Sequence, residues 1–134
     1  MTDLDFLRAF ERCEISNESF HHKDHIRLAW TYLKLHGPVD APPRMAAAIR
    51  NFAAHHGKSD KYHETVTVAW MLLVAQASHC ASLEEVAAQF PQFFDKSYLA
   101  EFYSPELLQS GAARNSFVAP DKKPLPSPPP SVVK

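Results

Sequence analysis

The stretch Lys61-Tyr62-His63-Glu64-Thr65-Val66-Thr67-Val68-Ala69-Trp70-Met71-Leu72-Leu73-Val74-Ala75-Gln76-Ala77-Ser78-His79 decides the fold. From Val66 to Ala77 only Thr67 and Gln76 interrupt the apolar run, so a helix here has almost no face to offer to water and belongs at the centre of a helical body. The run falls well short of the ~20 residues that a membrane span needs. A central helix requires amphipathic partners, and the flanking sequence supplies them. Between Asp3 and Cys13 the apolar Leu4, Phe6, Leu7 and Phe10 oppose Asp3, Arg8, Glu11 and Arg12 at helical spacing. From His22 to His36 the set Ile26, Ala29, Trp30 and Leu33 opposes Lys23, Arg27, Thr31 and Lys34, and Gly37-Pro38 stops the helix.

Pro42 and Pro43 suit the opening turn of a third helix that runs through Met45, Ile49 and Phe52 to His56, where Gly57 ends it. The central helix, from about Lys61 to His79, is the fourth, with Ser59 or Asp60 as its cap. Ser82-x-x-Glu85 is a capping-box signal for a fifth helix ending near Pro91. Shorter helical pieces are expected at Lys96 to Phe102 and Pro105 to Ser110. No alternating run bounded by Asn-Gly or Asp-Gly announces a hairpin. The expected fold class is all-α, a small irregular bundle of about five main helices. Residues 1–117 form its single domain. Six of the 11 prolines fall between Pro120 and Pro130, so residues 118–134 are expected to be an extended Pro-rich tail, pinned to the body at Leu125. Its P-x-x-P spacing reads as a solvated terminus rather than a recognition ligand.

Composition narrows the function classes. The 134 residues suffice for one domain with a core. Lys+Arg of 14 against Asp+Glu of 15 leaves a net charge of -1, which disfavours nucleic acid and anionic membranes as partners. Asp3 and Asp5 stand where a secretory signal would carry a cation, and no apolar run follows them. The two cysteines, Cys13 and Cys80, have no C-x-x-C spacing, so a reducing cytoplasm is the expected compartment. Isolated glycines at 37, 57 and 111 provide no phosphate-cradling loop, and no Gly-x-Ser-x-Gly nucleophile elbow occurs.

The unusual feature is 8 histidines in so short a chain. His36, His55, His56 and His79 fall at helix ends, where an imidazole meets the negative end of the helix dipole. The segment Phe20-His21-His22-Lys23-Asp24-His25-Ile26-Arg27 differs. His22 and His25 are i, i+3 neighbours on the stripe continued by Ile26 and Ala29, and both deliver an imidazole to one place whether the helix starts before His22 or is capped by Asp24. His63 and Glu64 open the central helix, whose N-terminus favours a neutral imidazole and an ionised carboxylate. Glu64 shares a side with Val68 and Met71 and therefore needs a partner.

Three inward imidazoles and a carboxylate match the ligand types of one divalent transition metal: Zn, Fe, Mn or Ni. The expected metal ligands are His22, His25 and His63. Glu64 is the expected catalytic residue, as general base or fourth ligand in a Lewis-acid-assisted hydrolysis, isomerisation or oxygenation. Arg27 and Arg114 are the candidate substrate residues, because a guanidinium grips carboxylate or phosphate bidentately; Arg27 can instead pair with Asp24 or Glu64. The competing reading is a non-catalytic binding or interaction module, in which the His/Glu cluster is a hydrogen-bond network that fixes helix packing.

At these same residues the chain resembles a family of small, uncharacterised bacterial helical proteins. These carry F-x-H-x-D-H-x-R-x-A-W, here Phe20 to Trp30, and K-Y-H-E-T, here Lys61 to Thr65. A closing pattern follows at Tyr103 to Leu108, Ala113-Arg114, Val118 to Asp121 and Pro124 to Pro126. The resemblance implies an all-helical fold and marks His22, Asp24, His25, Arg27, His63, Glu64 and Arg114, with no activity attached. His21 falls at a variable position of that pattern.

Overall fold

A computed structural model describes residues 1–126. Helix α1 (Asp3–Glu11) starts with a reciprocal cap: the Thr2 hydroxyl accepts from the Asp5 amide at 3.0 Å, and the Asp5 carboxylate accepts from the Thr2 amide at 3.3 Å. Two amides that the helix leaves without partners are thereby satisfied. Phe6, Leu7 and Phe10 face inward, as the spacing predicts, whereas Leu4, expected on the same apolar face, is exposed.

Helix α2 (His22–His55) is two helices in direct succession, because Gly37 at φ 83 breaks the path between residues 22–36 and 38–55. Pro38 opens the second limb at once, earlier than the start expected at Pro42 and Pro43. Those two prolines then lie inside the helix and withhold two amides from its ladder. Burial of Ala41, Met45, Ala46 and Phe52 holds this limb against the body.

Helix α3 (Glu64–Val74) lies at the centre, packed on both α2 and the C-terminal elements, with Ala69, Trp70, Met71, Leu73 and Val74 buried. It is shorter than the 61–79 helix expected. Ser59–Lys61 is a separate 3-10 turn, Tyr62 and His63 are extended, and a second 3-10 turn over Ala75–Ala77 tightens the end. The cap is His63 rather than Ser59 or Asp60. Ser82 caps α4 (Leu83–Gln89) by accepting from the Glu85 amide at 3.1 Å, as predicted. The piece expected at 96–102 is a 3-10 helix, Lys96–Glu101. The piece expected at 105–110 is α5 (Pro105–Leu108), and a further helix that was not expected, α6 (Gly111–Asn115), follows it, started by the Ser110 hydroxyl, which accepts from the Ala113 amide at 3.2 Å.

The fold is all-α, with no strand among the described residues. No described helix is long and apolar enough to cross a membrane. Aromatic rings fill the seams: Phe10 stacks on Phe52 at 4.4 Å, and Phe90 on Phe93 at 4.8 Å. The described part of the segment from Val118, residues 118–126, forms a strap without helix or strand, and it is bound to the body at several points and not at Leu125 alone. The Val118 amide donates to Thr65 Oγ1 at 3.1 Å, Tyr103 donates to the Val118 carbonyl at 2.7 Å, and the Lys122 amide donates to the Phe102 carbonyl at 2.9 Å. Ser104 holds Asp121 through its amide at 2.8 Å and its hydroxyl at 2.6 Å. Leu125 packs on the core. The later part of the Pro-rich stretch, with most of its P-x-x-P spacing, lies outside the described residues.

Candidate functional site

His22 and His25 come together as the i, i+3 spacing predicts, with ring centroids 6.3 Å apart. Their helix begins at His21, whose amide donates to the Asp24 carboxylate at 2.9 Å. Asp24 therefore serves the helix start from its third position and is not the cap itself. Both imidazoles line one cavity of about 510 Å³, which Trp70, Leu99, Tyr103 and Leu108 also line. This volume is in the range of small-molecule sites, roughly 300–1,000 Å³.

The two rings have distinct surroundings. His22 Nε2 lies 2.8 Å from the Phe93 carbonyl, and a carbonyl can only accept, so this nitrogen carries the proton. Burial holds the His22 pKa below its ordinary value; the Phe93 bond opposes this, the Lys96 charge adds to it, and the Asp95 charge opposes it. At neutral pH the ring is uncharged, and Nδ1 keeps its lone pair. The ring edge meets Trp70 at a centroid distance of 4.7 Å, which fixes its plane. His25 retains some accessible surface, but its Nε2 is sealed and has no hydrogen-bond partner among the described residues. Burial, helped by the neighbouring His22, pushes its pKa down to about 4.

His63 stands elsewhere. Its Nδ1 accepts from the Val66 amide at 3.1 Å and its Nε2 lies 2.7 Å from the Leu108 carbonyl, so both nitrogens are engaged and the proton is on Nε2. A neutral imidazole at the helix start is what the dipole predicts, but it is used as a cap that ties α3 to α5. Glu64 has the partners that its position demands: the Tyr62 hydroxyl at 2.6 Å and Arg50 at 3.1 Å. Burial, then the Glu64 bond, push the Tyr62 pKa up to about 12, so that hydroxyl remains the donor. Neither His63 nor Glu64 lines the His22–His25 cavity. Among the described residues no group of three or more His, Cys, Asp or Glu side chains is placed to hold a metal ion. The expected convergence of His22, His25 and His63 with Glu64 is thus not the arrangement observed.

The arginines also have other work. Arg27 pairs with Asp3 at 2.7 Å, donates to the Met1 carbonyl at 3.0 Å and lies over the Phe6 ring, fastening α1 to α2; it meets neither Asp24 nor Glu64. Arg114 donates to the carbonyls of Asp60 and Tyr62 at 3.1 and 3.2 Å, holding the turn before α3. Neither lines the cavity of the two histidines.

Sequence reasoning missed Trp70, Lys96, Leu99 and Tyr103 as cavity residues. Trp70 was legible as core, whereas Lys96 opens a short 3-10 helix and Tyr103 lies in the bend after it, where no periodicity reveals the placement. Tyr103 is anchored by its bond to Val118, so the strap orients one wall of the site. A second concavity of about 520 Å³ runs along the strap, but its polar edge consists of exposed Lys122 and Lys123 with Asp121, already bound to Ser104. No family model, curated protein or solved structure matches this chain.

Proposed function

We propose that the protein binds a small molecule in the cavity of His22 and His25, with His22 as the proton-accepting group that meets it. The observation that carries this reading is the bond from His22 Nε2 to the Phe93 carbonyl, which orients an imidazole on the lining of a largely apolar cavity. That bond fixes the tautomer and leaves Nδ1 as an acceptor. Orientation of an imidazole through its second nitrogen is the arrangement that general-base chemistry uses. A ligand hydroxyl or amide N–H would find its acceptor there, while Trp70 and Leu99 take the apolar part. The expected Glu64 base is replaced in this reading by His22.

The test uses N-phenyl-1-naphthylamine, a neutral apolar fluorophore. Emission is expected to rise on addition of the protein and to be lost in Ala100→Trp, where an indole fills the mouth of the cavity. No enhancement, or enhancement indifferent to that plug, overturns the reading. Ring ¹⁵N spectra check the chemistry: His22 Nε2 should be the protonated nitrogen, and a proton found on Nδ1 would remove the acceptor.

One observation favours a second reading, a divalent transition metal at the same place. Metal-bound imidazoles commonly donate their other N–H to a carbonyl, as His22 does to Phe93. With His63 and Glu64 otherwise engaged, Zn, Fe, Mn or Ni would have His22 and His25 as protein ligands and would take further donors from solvent or substrate. Titration of the untagged protein with Zn²⁺ and Ni²⁺ decides it. Uptake of about one equivalent, lost in His22→Ala, supports the metal; retention of uptake in that variant sinks it.

A further inference from the structure

We infer that the cavity of His22 and His25 is built for an amphiphilic monoanion, an apolar chain or ring lying against Trp70, Leu99 and Leu108 with a single carboxylate-type head held at the mouth by Lys96. The inference rests on the cavity being a ligand site and specifies the class of ligand it takes.

Lys96 is the one fully charged side chain on the described lining, and no carboxylate shares that lining. Among the described residues its ammonium forms no ion pair or hydrogen bond, which is also true of the exposed Lys23, Lys58 and Lys61, but of these only Lys96 lines the cavity. The nearest acid in sequence, Asp95, is turned to its own loop: its Oδ1 accepts from the Ser97 amide at 3.0 Å and from the Ser97 hydroxyl at 2.7 Å. Asp95 is thereby committed to capping the 3-10 helix that carries Lys96. The ammonium is left at the edge of apolar walls with no bonded partner among the described residues, and its charge reaches His22, as the opposite charge of Asp95 does.

Each ligand class meets this lining differently. A cation would be repelled by the ammonium, and a neutral molecule would leave that ammonium unused. A dianion such as a phosphate monoester needs several convergent donors, and the lining offers one full positive charge. A monoanion with an apolar body uses both features: the head gains a charge-assisted hydrogen bond from Lys96, and the body leaves water against Trp70, Leu99 and Leu108. Lys96 is exposed, so it meets the head at the mouth while the imidazoles lie further along the lining.

The experiment is displacement of N-phenyl-1-naphthylamine from the full chain by decanoate, by 2-naphthoate and by 1-decanol, in wild type and in Lys96→Gln. The substitution is at an exposed position whose side chain holds no other element. One or both carboxylates are expected to displace the fluorophore at a concentration about tenfold lower in wild type than in Lys96→Gln, the loss that one charge-assisted bond implies. The midpoint of 1-decanol is expected to change less than about twofold, as a ligand without charge requires. Carboxylates that are indifferent to Lys96→Gln, or that fail to displace a bound fluorophore, overturn the anionic inference and leave the cavity as a ligand site. Failure of the fluorophore itself to bind overturns both.

Discussion

His63 shows how a residue type is assigned by its hydrogen bonds rather than by its position. Imidazole is an uncommon helix cap, yet here Nδ1 accepts from the Val66 amide and Nε2 reaches the Leu108 carbonyl. His63→Ala removes the cap and the bond to α5 together, and is expected to lower unfolding stability by roughly 1–3 kcal/mol. His63→Asn restores an acceptor for the cap and should recover part of that loss. Urea titrations of both variants check this; equal losses for Ala and Asn would show that the cap contributes nothing.

His25 imposes a pH dependence. Its folded pKa of about 4 lies below the value near 6.5 of an exposed imidazole. Between those values the unfolded chain binds the proton and the folded chain does not. Stability is therefore fully present above pH 6.5 and is lost as pH falls toward 4, by up to about 3 kcal/mol if the whole shift is expressed. His22, shifted in the same direction, adds to the slope. Unfolding free energies at pH 7.5 and pH 5 should differ in wild type and differ much less in His25→Leu, which has nothing to protonate. An unchanged difference in the variant would place the proton elsewhere.

At the scale of elements, two devices set the helices in place. Gly37 at φ 83 turns the chain between the two limbs of α2, and no atom lies within 4 Å of the position a side chain would take. The cost of substitution there is conformational and not steric. Gly37→Ala and Gly37→Asn are both expected to destabilise by roughly 1–3 kcal/mol, because φ 83 with ψ 170 lies in a region that essentially only glycine adopts and not in the left-handed helical region that Asn tolerates. Thermal denaturation checks both variants; a wild-type midpoint in either would contradict the backbone origin.

Thr65 is the second device. Its buried hydroxyl donates to the Ser116 carbonyl at 2.9 Å and accepts from the Val118 amide, joining the first turn of α3 to the strap. Thr65→Val keeps the shape and strands both backbone groups, for an expected loss of roughly 1–3 kcal/mol. Amide exchange gives the specific readout: protection of the Val118 amide should fall while protection of Leu73 persists. Some helix boundaries were legible from local signals. Gly37-Pro38 and Ser82 were readable because capping and breaking act within a few residues, whereas Pro42 and Pro43 misplaced a start that Pro38 makes. The shortening of α3 was not legible, because its cap is an imidazole whose second bond comes from α5.

Across the whole molecule, the site depends on segments far apart in sequence. His22 is oriented by a carbonyl 71 residues away, and Tyr103 is held by a strap that also binds Thr65, Phe102 and Ser104. A chain ending at Phe117 should therefore retain its helices, lose stability, and bind N-phenyl-1-naphthylamine more weakly than the full chain, because Tyr103 and Thr65 lose their partners together. Far-UV dichroism with the fluorophore titration checks this, and unaltered binding would free the cavity from the strap.

What the sequence determined by itself was the all-helical class, the apolar helix at the centre, and the i, i+3 meeting of His22 with His25. Each follows from periodicity or capping, which operates over one or two helical turns. Tertiary structure alone decided that His63 and Glu64 are held by Leu108, Val66, Tyr62 and Arg50, that Arg27 belongs to Asp3, and that Lys96 and Tyr103 join the histidines. The physical reason is that a polar side chain at a helix start is satisfied by whichever donor or acceptor packing brings within about 3 Å. Residue spacing shows which way an imidazole faces, and only the packed partners show which of its nitrogens is left to bind.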